Sequence, residues 1–104
     1  MPEPIPSYKG SEPYIFVSYS HKDSERVLPI LNAMIHDGYR VWYDEGIPWS
    51  SEWREVIENH IRRCSIFLAF LSPDYVESKE CRSEISYARK TKNRFLQYIW
   101  KIRN

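Results

Sequence analysis

The chain has 104 residues, enough for one small domain, and its 42% apolar and 28% charged residues are typical of a globular protein. A net charge of +1 argues against a protein that binds nucleic acid or a membrane surface through bulk charge. The longest unbroken apolar run, Ile66 to Leu71, is too short to cross a bilayer.

The N-terminus differs in composition from the rest of the chain. Residues 1–12 contain several prolines and no signal-peptide pattern, so we predict a flexible tail there and a domain over 13–104. Cys64 and Cys81 fit no metal-ligand spacing and stand beside apolar residues. They are therefore interpreted as small buried hydrophobes in a reducing compartment, and the expected location is the cytoplasm.

The first strand and helix follow this tail. "YIFVSYS", residues 14–20, is rich in aromatic and β-branched residues and predicts a buried strand. Asp23 or Ser24 can cap a helix that stops at Gly38. Pro29 lies inside that helix and predicts either a kink or a later helix start.

The middle of the chain repeats the alternation. "YRVWYD", residues 39–44, predicts a second strand, and the Gly- and Pro-containing stretch after it predicts a loop. Ser50 or Ser51 can then cap a second helix. "SIFLAFL", residues 65–71, predicts a third strand.

The last helix carries an unusual residue. Ser78 can cap it, and its apolar stripe consists of Cys81, Ile85 and Ala88. Glu84 falls on the same stripe, where a helix ordinarily faces a core. Its side chain leans back toward the helix start, about 9 Å away, so it can point into a cleft at the rim of the sheet. The structural alternative is that Glu84 reaches solvent or pairs with Arg82.

A fourth strand over residues 94–100 completes the order βαβαβαβ, which predicts a flavodoxin-like fold with a central parallel sheet and helices on both faces. The usual fifth strand and last helix of such a fold are expected to be missing. The last strand would then be an open edge.

In open parallel sheets, ligands bind beyond the carboxyl ends of the strands. The side chains that these ends offer are Ser18, Tyr19, Ser20 and His21 after the first strand, Asp44 and Glu45 after the second, and Ser72 after the third, with the start of the Glu84 helix close behind. Four of them also have a structural interpretation, because Ser20 and His21 can belong to a helix cap and the two acids to a turn. With 3 glycines, the chain has no Gly-rich phosphate loop, and its three histidines form no metal motif.

Four stretches follow one another in a characteristic order: "YIFVSYSHKD" at 14–23, "GYRVWYDEGI" at 38–47, "FLAFLSPDYVES" at 67–78 and "CRSEISYA" at 81–88. Together they resemble the successive motifs of a bacterial TIR (toll/interleukin-1 receptor) domain. The chain departs from the family pattern at Glu80, where many enzymatic members carry Trp.

This resemblance implies an activity and a set of residues. Many bacterial and plant TIR domains cleave NAD⁺ to nicotinamide and ADP-ribose or a cyclic isomer, often in defence signalling that starts when domains assemble. It implies NAD⁺ as substrate without a further cofactor, and Glu84 as the catalytic residue. The family's BB loop corresponds to residues 45–52, which include Glu45, Gly46, Ile47, Pro48 and Trp49. That loop is expected to cover the substrate and to join neighbouring domains.

Aromatic residues are expected to hold the two bases of such a substrate. Trp49, Trp53 and Tyr19 are the candidates. Trp53 heads the apolar stripe of its helix and can instead belong to the core, and Trp49 can be a surface contact. Two other functions stay open: a TIR interaction module without catalysis, and an inactive fragment whose site is unformed.

Overall fold

The structure, a computed structural model, describes residues 8–44 and 50–91 and the backbone of residues 95–99. Its strands are β1 (Ile15–Ser18), β2 (Val41–Tyr43), β3 (Ile66–Leu71) and β4 (Phe95–Ile99). Its helices are α1 (Ser24–His36), α2 (Ser51–Arg63), α3 (Pro73–Glu77) and α4 (Lys79–Thr91), with a 3-10 turn at His21–Asp23.

The four strands form one parallel sheet in the order β2-β1-β3-β4. This is the order that right-handed crossovers give a flavodoxin-like sheet, so the predicted fold class is confirmed. Each predicted strand is present and is shorter by one to three residues than its sequence pattern. Because all strands run the same way, their carboxyl ends meet at one edge of the sheet.

Alternate residues of β1 face two separate cores. Phe16 stacks between Trp42 and Phe67 on one face, with ring centroids 5.0 and 5.3 Å apart, and α2 and α4 cover this cluster. Val17 points to the other face, where Leu31 of α1 packs. Helices therefore lie on both faces of the sheet, as the doubly apolar strands predicted.

Helix α1 begins earlier than its proline suggested. It starts at Ser24, five residues before Pro29, so the alternative of a later start is wrong. The helix ends as predicted, because Gly38 adopts a φ of +96°, a conformation that side chains with a Cβ disfavour.

Serine hydroxyls start the other two long helices. The Ser50 Oγ accepts the Trp53 amide at 3.1 Å, and the Ser78 Oγ accepts the Cys81 amide at 3.2 Å. These bonds satisfy amides that a helix start leaves open. They confirm Ser50 and Ser78 as the capping residues.

Two short elements were not predicted. The 3-10 turn and α3 have 3 and 5 residues, too few for a helical period to show in the sequence. Pro73 fits the first position of α3, where an amide is not needed. Both elements lie directly after strands, so they shape the ligand edge of the sheet.

Part of the predicted tail packs on the domain. The Tyr8 amide donates to the Val41 carbonyl at 2.9 Å. The guanidinium carbon of Arg40 lies over the Tyr8 ring, 5.9 Å from the ring centroid. Tyr8 therefore packs on the domain, residues 9–12 are exposed, and residues 1–7 lie outside the described residues. Within the described ranges, every helix is too short or too polar to cross a bilayer.

Candidate functional site

A cleft of about 430 Å³ opens at the carboxyl edge of the sheet. Its floor comes from the end of β1, and its walls come from the 3-10 turn, the end of β2 and the junction of α3 and α4. The residues that line it are Val17, Tyr19, Ser20, His21, Lys22, Asp44, Asp74, Glu77, Ser78, Lys79, Glu80, Cys81 and Glu84. This is the location that an open parallel sheet predicts for a ligand.

Most of the candidate residues meet in this cleft. The five that line it are Tyr19, Ser20, His21, Asp44 and Glu84. Trp53 does not line it, because it packs against the core and its ring lies 6.1 Å from that of Trp42. Trp49 and the rest of the candidate assembly loop, residues 45–49, lie outside the described residues.

Glu84 is the buried acid of the cleft, with 7% of its surface exposed. Its Oε1 accepts a hydrogen bond of 2.7 Å from the Ser18 hydroxyl. Among the described residues no cation forms an ion pair with it, so the alternative of a pair with Arg82 is wrong, and so is that of a solvated carboxylate. The periodicity that placed Glu84 on an inward stripe is therefore correct.

The surroundings of Glu84 favour its neutral form. Burial raises its pKa from the ordinary 4.5 to about 8. The Ser18 hydrogen bond opposes this shift, whereas the negative charges of Asp44 and Glu80 add to it. At neutral pH the carboxyl group of Glu84 is therefore mostly protonated.

Ser18 connects Glu84 to a second buried group. Its Oγ lies 2.7 Å from the Tyr75 hydroxyl, and Ser18 and Tyr75 are 1% and 2% exposed. Burial raises the pKa of Tyr75 well above its ordinary value, so the phenol keeps its proton. Since the single Ser18 proton goes to Glu84, the Tyr75 hydroxyl donates to Ser18.

A further buried pair holds the start of α3. The Ser72 Oγ accepts the Tyr75 amide at 3.1 Å and donates its own proton to the Asp23 carboxylate. Asp23 and Ser72 are 3% and 5% exposed. The 3-10 turn and α3 are thereby joined beneath the cleft, through polar groups that each have a partner.

Charges of both signs surround the mouth of the cleft. Asp74, Glu77 and Glu80 contribute carboxylates, and Lys22 and Lys79 contribute ammonium groups. The wall on the β1 and β2 side is partly aromatic, because the ring of Tyr19 lies 5.4 Å from that of His21 and 6.3 Å from that of Tyr43. His21 Nε2 in turn lies 3.8 Å from Asp44 Oδ2. The cleft therefore brings aromatic side chains, cations and acids together around one space.

Sequence reasoning missed the residues that the helix starts supply. Lys22 lies in the 3-10 turn, and Asp74 to Cys81 span α3 and the first turn of α4. A usable signal was the rule that helix starts follow strand ends at the ligand edge. Applied after the third strand, this rule marks Ser72 and the start of the helix that carries Glu84, and it leaves α3 unmarked because five residues show no helical period.

Cys81 and the acids do not form other common kinds of site. Burial raises the pKa of the Cys81 thiol to about 12, so it is not a ready nucleophile. Over residues 8–44 and 50–91, no group of three or more His, Cys, Asp or Glu side chains is placed to hold a metal ion.

Comparison with protein families gives a match that covers most of the chain. A family model described as TIR domain matches residues 15–101, a range that includes every residue lining the cleft. No curated protein matches the chain.

Proposed function

This chain belongs to the TIR domain family, and we propose that its cleft binds NAD⁺ and cleaves the bond between nicotinamide and ribose. The products are nicotinamide and ADP-ribose, or a cyclic isomer of ADP-ribose. The observation that carries the proposal is Glu84, a carboxyl group that lines the cleft, is 7% exposed and has no partner cation among the described residues.

The reaction needs a negative group beside the ribose. As the C1′–N1 bond breaks, its electron pair goes to nicotinamide, which leaves neutral, and positive charge develops on the ribose. A carboxylate in a site with little water stabilises that charge more strongly than it would in bulk solvent. Water then attacks C1′ and releases one proton to the solvent, which gives linear ADP-ribose. Glu84 is assigned the role of this carboxylate.

The substrate also supplies the charge that ionises Glu84. The nicotinamide ring of NAD⁺ is cationic before it leaves, and a cation within about 4–6 Å lowers the pKa of a carboxyl group. The same cation offsets the negative charges of Asp44 and Glu80, which raise the pKa of Glu84. The bound substrate therefore favours the charged form that catalysis requires.

The remaining groups of the cleft suit the other parts of NAD⁺. Lys22 and Lys79 provide positive charge for the diphosphate, and Tyr19 provides an aromatic face for a base. The proposal includes self-association through the loop at 45–52 as the activating step, and a role in bacterial anti-phage defence in the cytoplasm.

The test is nicotinamide release from NAD⁺, followed over hours at high protein concentration with a crowding agent. Wild type is compared with Glu84→Gln and with Glu55→Gln, which removes an exposed glutamate of α2 outside the cleft. We expect turnover in wild type and Glu55→Gln and none in Glu84→Gln. Full turnover in Glu84→Gln would refute the assignment.

A TIR module that assembles without catalysis is the second candidate. It is favoured by Glu80, which lines the cleft four residues before Glu84, at the place where many enzymatic members carry Trp. In that case no concentration of protein gives nicotinamide, and sedimentation shows self-association that Pro48 or Trp49 substitutions weaken. A chain that stays monomeric at high concentration would count against this alternative.

A further inference from the structure

We propose that Ser18 and Tyr75 are positioning residues, which form a directed hydrogen-bond chain that fixes the carboxyl group of Glu84 in its orientation toward the substrate. The inference rests on the proposed function, since it concerns the same site. The sequence placed Ser18 at the end of the first strand without giving it a role, Tyr75 was not among the candidates, and neither residue lines the cleft. Both act through Glu84.

When Glu84 is ionised, the geometry gives the hydrogen-bond chain a single direction. Ser18 Oγ is 2.7 Å from Glu84 Oε1 and 2.7 Å from the Tyr75 hydroxyl. A serine hydroxyl has one proton, and the Tyr75 phenol stays protonated because it is buried. The order is therefore Tyr75 to Ser18 to Glu84, and Oε1 is the oxygen that accepts. The other oxygen of Glu84 is left for the cleft.

The two positioning residues are themselves held in place. Ser18 is the last residue of β1, a central strand that is paired on both sides. Tyr75 lies on α3, whose first turn is capped by Ser72, and Ser72 is bonded to buried Asp23. A five-residue helix has little stability of its own, so these bonds decide where the Tyr75 hydroxyl lies. The chain thus links Glu84 to the rigid part of the sheet.

Several other groups act on the same carboxyl and must be kept constant in any test. Asp44 from the end of β2 and Glu80 and Cys81 from α4 face it, and Arg89 of α4 acts on Tyr75. None of them is hydrogen-bonded to Glu84 in the described part of the chain. Removing the hydroxyl group of Ser18 or Tyr75 interrupts the hydrogen-bond chain and leaves these charges unaltered.

The test uses Ser18→Ala, Tyr75→Phe and the double variant of the full chain, each checked by thermal unfolding. The matched control is Tyr87→Phe, which removes the hydroxyl of a tyrosine that accepts from Arg62 away from the cleft. Nicotinamide release gives kcat and KM. Carbon-13 NMR of the glutamate side-chain carboxyls gives the titration of Glu84 without substrate, with Glu84→Gln for assignment.

We expect Ser18→Ala to lower kcat by about 10- to 100-fold and to leave KM within about twofold of wild type. The reason is that the Glu84 carboxyl group loses its orientation, whereas the substrate keeps its contacts with the cleft. In this variant the pKa of Glu84 should rise, since the hydrogen bond from Ser18 stabilises the charged form and the variant lacks it. Tyr75→Phe should act in the same direction more weakly. The double variant should cost no more than Ser18→Ala alone, because both changes act through one bond. Tyr87→Phe should match wild type.

Each result decides between the two proposals. If Ser18→Ala and Tyr75→Phe keep wild-type kcat and titration while Glu84→Gln is inactive, the positioning role is refuted and the proposed function stands. If wild type releases no nicotinamide, the proposed function fails. The NMR titration alone then tests whether the hydrogen-bond chain from Tyr75 through Ser18 acts on Glu84. An unchanged titration in Ser18→Ala then overturns the inference, and a shift to higher pH supports it.

Discussion

Removing the charge of Glu84 should make the protein more stable in alkaline solution and leave it unchanged in acid. The pKa of this group is raised from 4.5 to about 8 in the folded chain. Between these pH values the folded state keeps a proton that the unfolded chain has released. The free energy of unfolding therefore falls as pH rises, by about 1.4 kcal/mol for each pH unit, and the loss levels off above pH 8.

The size of the effect is large for a small domain. The full shift corresponds to about 5 kcal/mol, of which about 3 kcal/mol is already lost at pH 7. Domains of this size have about 5–15 kcal/mol of stability in all. Glutamine has the same shape as the protonated acid, can accept the Ser18 proton at its amide oxygen and cannot ionise. Glu84→Gln should therefore exceed wild type by about 3–5 kcal/mol at pH 8.5, and the two should agree within about 1 kcal/mol at pH 4.5.

Urea unfolding followed by tryptophan fluorescence measures this difference at both pH values. Glu55→Gln serves as the control, because Glu55 is exposed and its replacement removes a solvent-exposed charge instead of a buried one. The two variants should differ at pH 8.5 and coincide at pH 4.5. A Glu84→Gln variant that is less stable than wild type at pH 8.5, or that shows one constant difference, would refute the reasoning.

Two further predictions concern the scaffold around the cleft. Ser72→Ala removes the cap of α3 and leaves the buried Asp23 carboxylate without its donor, so urea unfolding should show a loss of about 2–4 kcal/mol. Ser78→Ala removes only a cap and should lose about 1 kcal/mol; equal losses would contradict the buried network. Gly38→Ala should lower stability by about 1–2 kcal/mol through backbone strain alone, since φ is +96° and a Cβ would meet nothing within 4 Å. Gly38→Asn should lose less, and a thermal melt that ranks the two variants the other way would argue against this cause.

The fold was largely predictable because its signals are local. Each strand is a short apolar run, and Ser50, Ser78 and Gly38 mark helix ends by chemistry that acts within one turn. What could not be predicted is α3, since five residues show no period. Its position depends on the bond between Ser72 and Asp23, two residues that are far apart in sequence.

The site was predictable where it follows strand ends and unpredictable where packing turns a side chain. Tyr19 and Asp44 follow strands directly, and Glu84 is conspicuous in the sequence because it is an acid on an apolar helix stripe. The position of Trp53 on an apolar stripe is ambiguous, because an aromatic residue there can pack in the core or contact a ligand. An acid on such a stripe is informative because it does not fit a core. Tyr75 gave no signal, since its role depends on a hydroxyl that meets Ser18 only in the folded chain.

The contact of Tyr8 with β2 also bears on how copies of this protein avoid one another. β2 is an edge strand of three residues, and an edge strand offers open backbone groups to a strand of another molecule. Tyr8 occupies the carbonyl of Val41, and its ring lies against Arg40 at the start of that edge. The segment before β1 thus satisfies a backbone carbonyl at this edge, which would otherwise be open to the strand of another molecule.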